Sequence, residues 1–300
     1  IYGQGAIRCH PFAYKEITAL ENKDINGFDQ AFSGHIAHII KNLARSFVLS
    51  ITRGNLAEAP NSPMANYYKK LSWVSASFAF WADIAMGALG GKLKFKEKLT
   101  GRFADILSWS YLITAALRRY EAEGQKKQDE KYIHYIAHYG LQQIHQSFQG
   151  IFANFEVPVL GFITKYIVSP WSRINTLSFG PSDRLGSKIT KECMTPGEAR
   201  DNLTGGIYLS KDEGEPMYQL EQAFLLSCKA EAVLAKITRA IRKGQIEKGR
   251  PYGRIKEALE LQVISTEEKD LLEQAKKACY DAVQVDSYPQ SEFLSGKVNV

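Results

Sequence analysis

A run of apolar residues between Met64 and Tyr120 constrains this chain more than any other feature. Met64, Tyr67, Leu71, Val74, Phe78, Trp81, Ala85 and Ala88 follow one another at steps of three and four. That spacing returns to one face of an α-helix. Ser62-Pro63 supplies a start, with serine as N-cap and proline as first helical residue, and Gly90-Gly91 supplies a stop. Phe95, Leu99, Phe103, Ile106, Ser110, Ile113, Leu117 and Tyr120 repeat the pattern. Two such helices across a Gly-Gly-Lys-Leu-Lys turn predict an antiparallel hairpin. Trp73 and Phe80 put aromatic rings on further faces of the first helix. The expected position of that helix is therefore the centre of a bundle, with more than one neighbour.

The rest of the chain reads the same way. Helices are expected from His35 to Thr52, ending at Gly54, and from Glu130 to Phe155, ending before Pro158. Further helices are expected from Tyr218 to Arg242, Arg254 to Leu261 and Glu267 to Val283. Thr195-Pro-Gly-Glu198 and Ser265-Thr-Glu-Glu268 carry the capping-box pattern of a helix start. Strand signals are scarce, and Gly206-Ile207-Tyr208-Leu209 is the best of them. The expected class is all-α: a multi-helix bundle on long antiparallel helices, with a smaller helical C-terminal lobe. The boundaries place the bundle at 1–168, a Pro-, Gly- and Ser-rich linker at 169–195, the lobe at 196–287 and a disordered tail at 288–300.

Composition narrows the function classes. With 300 residues, 45% of them hydrophobic, the chain can bury a large core. No run approaches 18 purely apolar residues, so no bilayer-crossing helix is expected. Cys9, Cys193, Cys228 and Cys279 lie far apart with no CxxC pair, which fits reduced, structural thiols and a cytoplasmic location. The net charge of +6 is spread among acids, and the motifs of nucleic-acid readers are absent. Nucleic acid is therefore not an expected partner. Ile1-Tyr2-Gly3-Gln4-Gly5-Ala6-Ile7 reads as continuing an upstream segment.

Candidate chemistry was weighed motif by motif. His35 and His38 are three apart, and Glu130, His134 and His138 share a helical stripe with His145 beyond them. Metals use that geometry in bundles, but the H-E-x-x-H pattern is missing because Tyr135 follows His134. Gly3-Gln4-Gly5 lacks the third glycine of a dinucleotide loop, since position 8 is Arg8. Asp83 and Asp105 sit in the two hairpin helices as a possible carboxylate pair, with Arg102 and Arg118 as the ordinary partners of such residues. Cys9 beside His10 is the one thiol–imidazole neighbour pair, and adjacent side chains on a helix diverge. None of these amounts to a catalytic, cofactor-binding or metal site. Two features point to a surface contact. Lys92, Lys94, Lys96, Lys98 and Arg102 crowd the hairpin tip, and the stretch from Val157 to Trp171 is apolar and aromatic-ended. Together they have the composition of a peripheral membrane patch, against which stands a buried helix beside a solvated tip.

Gly3-Gln-Gly-Ala-Ile-Arg-Cys-His-Pro11 resembles the segment that follows the catalytic region in long bacterial acyl-coenzyme A dehydrogenases of fatty-acid β-oxidation (the FadE type). Ser46-Phe47, Thr52-Arg53-Gly54, Leu89-Gly-Gly-Lys-Leu-Lys94, Asp105-Ile-Leu-Ser108, Tyr111-Leu112, Arg119-Tyr120, Glu123-Gly124 and Pro181-Ser-Asp183 with Leu185 and Lys188 continue the likeness, which runs to Val285-Asp286. The resemblance implies an oxidoreductase and flavoprotein of lipid metabolism. The parent would use FAD to convert a fatty acyl-CoA to the trans-2-enoyl-CoA and pass electrons to an electron-transfer flavoprotein. It also implies that the catalytic glutamate lies upstream, so no residue here matches the base or the main flavin motifs. Residues 1–25 would then continue from the dehydrogenase core, and the isolated chain would carry no cofactor. The long helices are also similar in layout to the C-terminal bundle of very-long-chain acyl-CoA dehydrogenases. That likeness implies a homodimer and a peripheral contact at the inner membrane.

Overall fold

The computed structural model describes residues 10–285 and 290–291. The glycines at positions 3 and 5, Cys9 and the expected tail apart from residues 290–291 lie outside them. Among the described residues every regular element is helical. The chain divides into two compact units, Ile1–Ile189 and Thr190–Val300.

In the first unit, α1 (Ala13–Glu21) and α2 (Ile25–Ile51) are separated by Lys23, whose positive φ of 55° breaks the helix. Asp24 caps α2 by accepting from the Gly27 amide at 2.9 Å. Helix α2 therefore begins ten residues before its expected start at His35, because the cap at Asp24 precedes the clear apolar periodicity. It ends at Gly54, where φ is 86° and an added Cβ would meet the Lys69 carbonyl at 3.0 Å. Helix α3 (Ala65–Leu89) and α4 (Glu97–Ala122) are joined by a 3₁₀ turn, Gly90–Phe95. Ser62 does accept from the Met64 amide at 3.2 Å, but the helix proper begins at Ala65. Helix α5 (Glu130–Ala153) packs closely on α4, and α2 packs on α3.

The core of this unit gathers Met64, Tyr67, Trp73, Val74, Trp81 and Ala85 of the α3 region with Ile106, Ile113 and Leu117 of α4. Leu141, Ile144, Ile151 and Phe152 of α5 complete it. Trp81 touches Phe152 and Phe155, with ring centroids 5.1 and 6.3 Å apart, and Phe78 meets Phe103 edge-on at 5.9 Å. By length and composition alone, the run Ala65–Phe95 would suffice to cross a membrane. In the fold, one third of that run's apolar window is buried against its neighbours.

A continuous helical stretch follows, made of α6 (Leu160–Ile163), a π-turn (Thr164–Val168) and α7 (Ser169–Ile174). Helix α8 (Asp183–Cys193) spans the unit boundary. The expected linker at 169–195 thus contains α7 and α8. Pro170 is accepted in the first turn of α7, where no amide proton is needed.

The second unit contains α9 (Glu198–Leu203), α10 (Pro216–Arg242), α11 (Ile255–Glu260) and α12 (Thr266–Ala282). Ala230, Val233, Ile237 and Ala240 of α10 bury against Leu272 and Ala275 of α12, together with Ile246, Ile255, Ala258 and Ile264. The capping box at Ser265–Glu268 forms in both directions. The one expected at Thr195–Glu198 does not: Thr195 donates to the Lys191 carbonyl at 2.7 Å, and Gly197 holds the cap position without a side-chain bond. Residues 206–209, the best strand signal, form no strand, and among the described residues there is no second strand to pair with them.

Helix α5 approaches α4 closely at Gly140, where an added Cβ would stand 2.8 Å from Ile113 and 3.2 Å from Trp109. Gly140→Leu should therefore destabilise the first unit by about 1–3 kcal/mol through overpacking. Urea unfolding followed by tryptophan fluorescence measures it, and an unchanged midpoint would contradict this packing.

Candidate functional site

Three places in the first unit concentrate chemistry. The largest is a cavity of about 570 Å³ between α2, α3, α5 and the 160–174 stretch. Its walls are apolar and aromatic, including Phe47, Trp73, Trp81, Phe152, Tyr166 and Trp171. Trp171 donates its indole N–H to Ser50 Oγ at 3.1 Å, which ties the stretch to α2. The stretch is bare toward solvent: Val159, Phe162, Tyr166, Ile167 and Ile174 are 58–74% exposed, the last three at the rim of the cavity. The segment packs Val157, Leu160 and Val168 against the core, buries Thr164 and Ser169, and leaves Phe162, Tyr166 and Ile167 exposed. The segment joins the lysine-rich tip directly, since Lys96 pairs with Glu156 at 2.5 Å and holds that carboxylate below its ordinary range. Lys92, Lys94 and Lys98 are exposed beside it.

The second place lies along α3 and α5. Burial pushes the Tyr67 hydroxyl up to about 12. It therefore stays protonated and donates to His134 Nδ1 at 2.7 Å. Lys70 donates to the Leu177 carbonyl at 2.7 Å, and burial, with Arg53 nearby, pushes its ammonium down. His138 contacts Ser178 at 3.2 Å, and burial followed by the charge of Lys70 lowers its basicity. Glu130, His134 and His138, expected as a possible metal stripe, are engaged elsewhere. His134 and His138 turn to Tyr67 and Ser178, while burial, followed by the charge of Glu130, raises the Tyr120 hydroxyl. His145 lines the cavity, where burial lowers it too.

The third place surrounds Asp83. Its carboxylate is almost fully buried, with Oδ1 3.1 Å from His10 Nε2 and 3.8 Å from His35 Nε2. Burial lowers the basicity of His10, while the nearby Asp83 charge opposes that shift. Asp105, its supposed partner on α4, is exposed. The two aspartates do not form a pair. The residues that do meet Asp83 come from α2 and from the segment before α1. Asp83 within an apolar helix and the His35/His38 spacing were the sequence signals of this cluster, and nothing local joined the two. The thiols are scattered: Cys279 contacts Ser227 at 3.0 Å and Cys228 the Met194 carbonyl at 3.6 Å.

Against known families, the model described as acyl-CoA dehydrogenase, C-terminal, bacterial type, matches residues 7–288. The chain belongs to this family. No solved structure matches it. Acyl-CoA dehydrogenases in general use FAD, whose diphosphate calls for cationic side chains or helix N-terminal amides. No Lys or Arg lines the cavity, whose polar lining is Ser46, Ser50, Ser77, His145, Ser172 and Asn175. The lining of this cavity thus lacks the cations that a flavin diphosphate calls for.

The lowered histidines make a pH prediction. Rings held below their unfolded value of about 6.5 resist protonation in the fold, so the unfolded chain binds more protons as pH falls. His138 and His145 should therefore cost stability below that value, at a slope of at most about 1.4 kcal/mol per pH unit each. His145→Phe should flatten the loss in urea midpoint between neutral and mildly acidic pH. An equal slope in the variant would refute the role of burial at His145.

Proposed function

We propose that this chain is the C-terminal helical domain of an FAD-dependent acyl-CoA dehydrogenase of fatty-acid β-oxidation, and that it holds the enzyme at a membrane surface. The family match supports the first part. The parent oxidises a fatty acyl-CoA to the trans-2-enoyl-CoA with a glutamate upstream of Ile1 and delivers electrons to an electron-transfer flavoprotein. The parent is cytoplasmic and peripheral at the inner membrane.

The observation that carries the second part is the bare apolar outer face of the 160–174 stretch next to the lysine-rich tip. An amphipathic helix with aromatic and branched residues on one side and cations at its edge partitions to an anionic lipid interface. Phe162 and Tyr166 lie against each other at 4.8 Å, and Lys165 sits 5.4 Å from the Tyr166 ring, which keeps its charge at the rim. A second bare stripe, Phe32, Ile36, Ile40, Leu43, Phe47 and Ile51, runs the length of α2. We assign it to a homodimer, because a stripe along a whole helix suits packing against protein.

The intact protein should co-sediment with vesicles containing phosphatidylglycerol and much less with pure phosphatidylcholine. Phe162→Ser combined with Ile167→Ser should abolish the binding. Equal binding to both vesicles, or none, would sink the membrane reading, and sedimentation velocity of the same samples reports the dimer. Purified alone, the 300-residue chain should show no flavin absorbance and no acyl-CoA oxidation. A yellow preparation would contradict the upstream placement of the active site.

A further inference from the structure

We propose that His35, His38 and Asp83 form a binding site for one divalent transition-metal ion of the zinc type, supported by Glu16 and His10. The argument begins with unmet polar atoms. His10 Nε2, His35 Nε2 and Asp83 Oδ2 are all buried without a well-formed hydrogen bond among the described residues. A buried polar atom left without a partner costs about 1–3 kcal/mol, so a native fold rarely holds three side by side. His35 Nε2 lies 3.8 Å from the other oxygen of the same carboxylate. Two groups that offer lone pairs thus face one another, and a shared cation satisfies both.

The surroundings fix which atoms are free. Glu16 Oε1 holds His35 Nδ1 at 2.8 Å. A carboxylate only accepts, so the ring proton sits on Nδ1 and Nε2 presents its lone pair to the site. This is the carboxylate–histidine–metal relay found behind ligating imidazoles. His10 has the opposite arrangement. Its Nδ1 accepts the amides of Phe12 at 3.2 Å and Ala13 at 2.9 Å, so its proton is on Nε2. Nε2 points at Asp83 Oδ1, 3.1 Å away.

His10, His38 and Asp83 all offer ligand atoms within 4.8 Å of one another. By its protonation, however, His10 supports the carboxylate and does not ligate. His38 supplies the second imidazole. Its Nε2 lies 2.9 Å from Asn42 Nδ2. Exchanging the oxygen and nitrogen of the Asn42 amide reverses that bond, so that Nε2–H donates to Asn42 Oδ1 and the Nδ1 lone pair is left for the ion. His38 stands within 4.8 Å of Asp83, and His35 Nε2 lies 3.8 Å from the same carboxylate, so each histidine of α2 is within reach of the carboxylate on α3. Ligand atoms around such an ion stand about 3.3 Å apart, so the site of two imidazoles and one carboxylate forms as both rings swing in toward Asp83. A dication also balances the two carboxylates, Glu16 and Asp83, that the fold holds against these rings. Bound there, the ion ties α2 to α3 and, through Glu16, to α1.

The test uses the intact protein without a histidine tag, stripped by chelator and titrated with Zn²⁺ alone by calorimetry. One equivalent should bind the site and raise Tm. Asp83→Asn and His35→Gln should lose that equivalent, and Glu16→Gln should weaken it by about 10–100-fold. His134→Gln should leave it unchanged. No binding, or binding that survives Asp83→Asn, overturns the proposal. Zinc-edge absorption of the wild-type complex reads the ligands without any variant, so the test stands even where a variant fails to fold. A shell of nitrogen and oxygen with imidazole scattering is expected, and sulfur in the shell sends the ion to a cysteine and overturns the site.

Discussion

Helix α3 is apolar around most of its circumference, and the first unit is arranged to cover it. Tyr67, Val74, Trp81 and Ala85 are buried on one line, while Trp73, Ala76, Ser77 and Asp83 are buried on others. One neighbour cannot shield so wide a surface. Helix α2 packs on one side, α4 meets α3 through Phe78 and Phe103, and α5 presents Phe152 to Trp81. Where the cover is incomplete, the apolar cavity opens, and the 160–174 stretch closes over it through Trp171.

A helix buried on several sides also carries its polar residues inside. Asp83 and Lys70 are each charged groups that the fold withdraws from water, at the two ends of α3. Desolvating a charge is expensive, so each must recruit partners. Lys70 finds a backbone carbonyl, and Asp83 finds imidazoles from two other segments. The domain's titratable chemistry therefore gathers along its central helix. The bare outer faces of α2 and of the 160–174 stretch are the complementary consequence: apolar residues the bundle does not use internally are left for contacts outside it.

Much of this was legible in the sequence because helices are specified locally. The three-and-four spacing from Met64 to Tyr120 fixed two long helices, and Ser265–Glu268 formed the capping box its pattern announced. The failures are also local in cause. Thr195–Glu198 has the same letters, but the Lys191 carbonyl competes for the threonine hydroxyl. Residues 206–209 have strand-like side chains and no strand to join. The start of α2 was missed because the polar stretch after Asp24 hides the periodicity that resumes further on.

The sequence by itself determined the all-α class, the long helices, the lysine-rich tip and the resemblance to acyl-CoA dehydrogenase C-terminal regions, since each depends on residues close together in the chain. Only the tertiary structure decided that the apolar segment after Val157 faces outward, that Asp83 and Asp105 part company, and that Glu16, His10, His35 and His38 converge on Asp83. Those partners sit on separate segments of the chain. Their meeting is set by how the helices pack about α3, which no local pattern encodes.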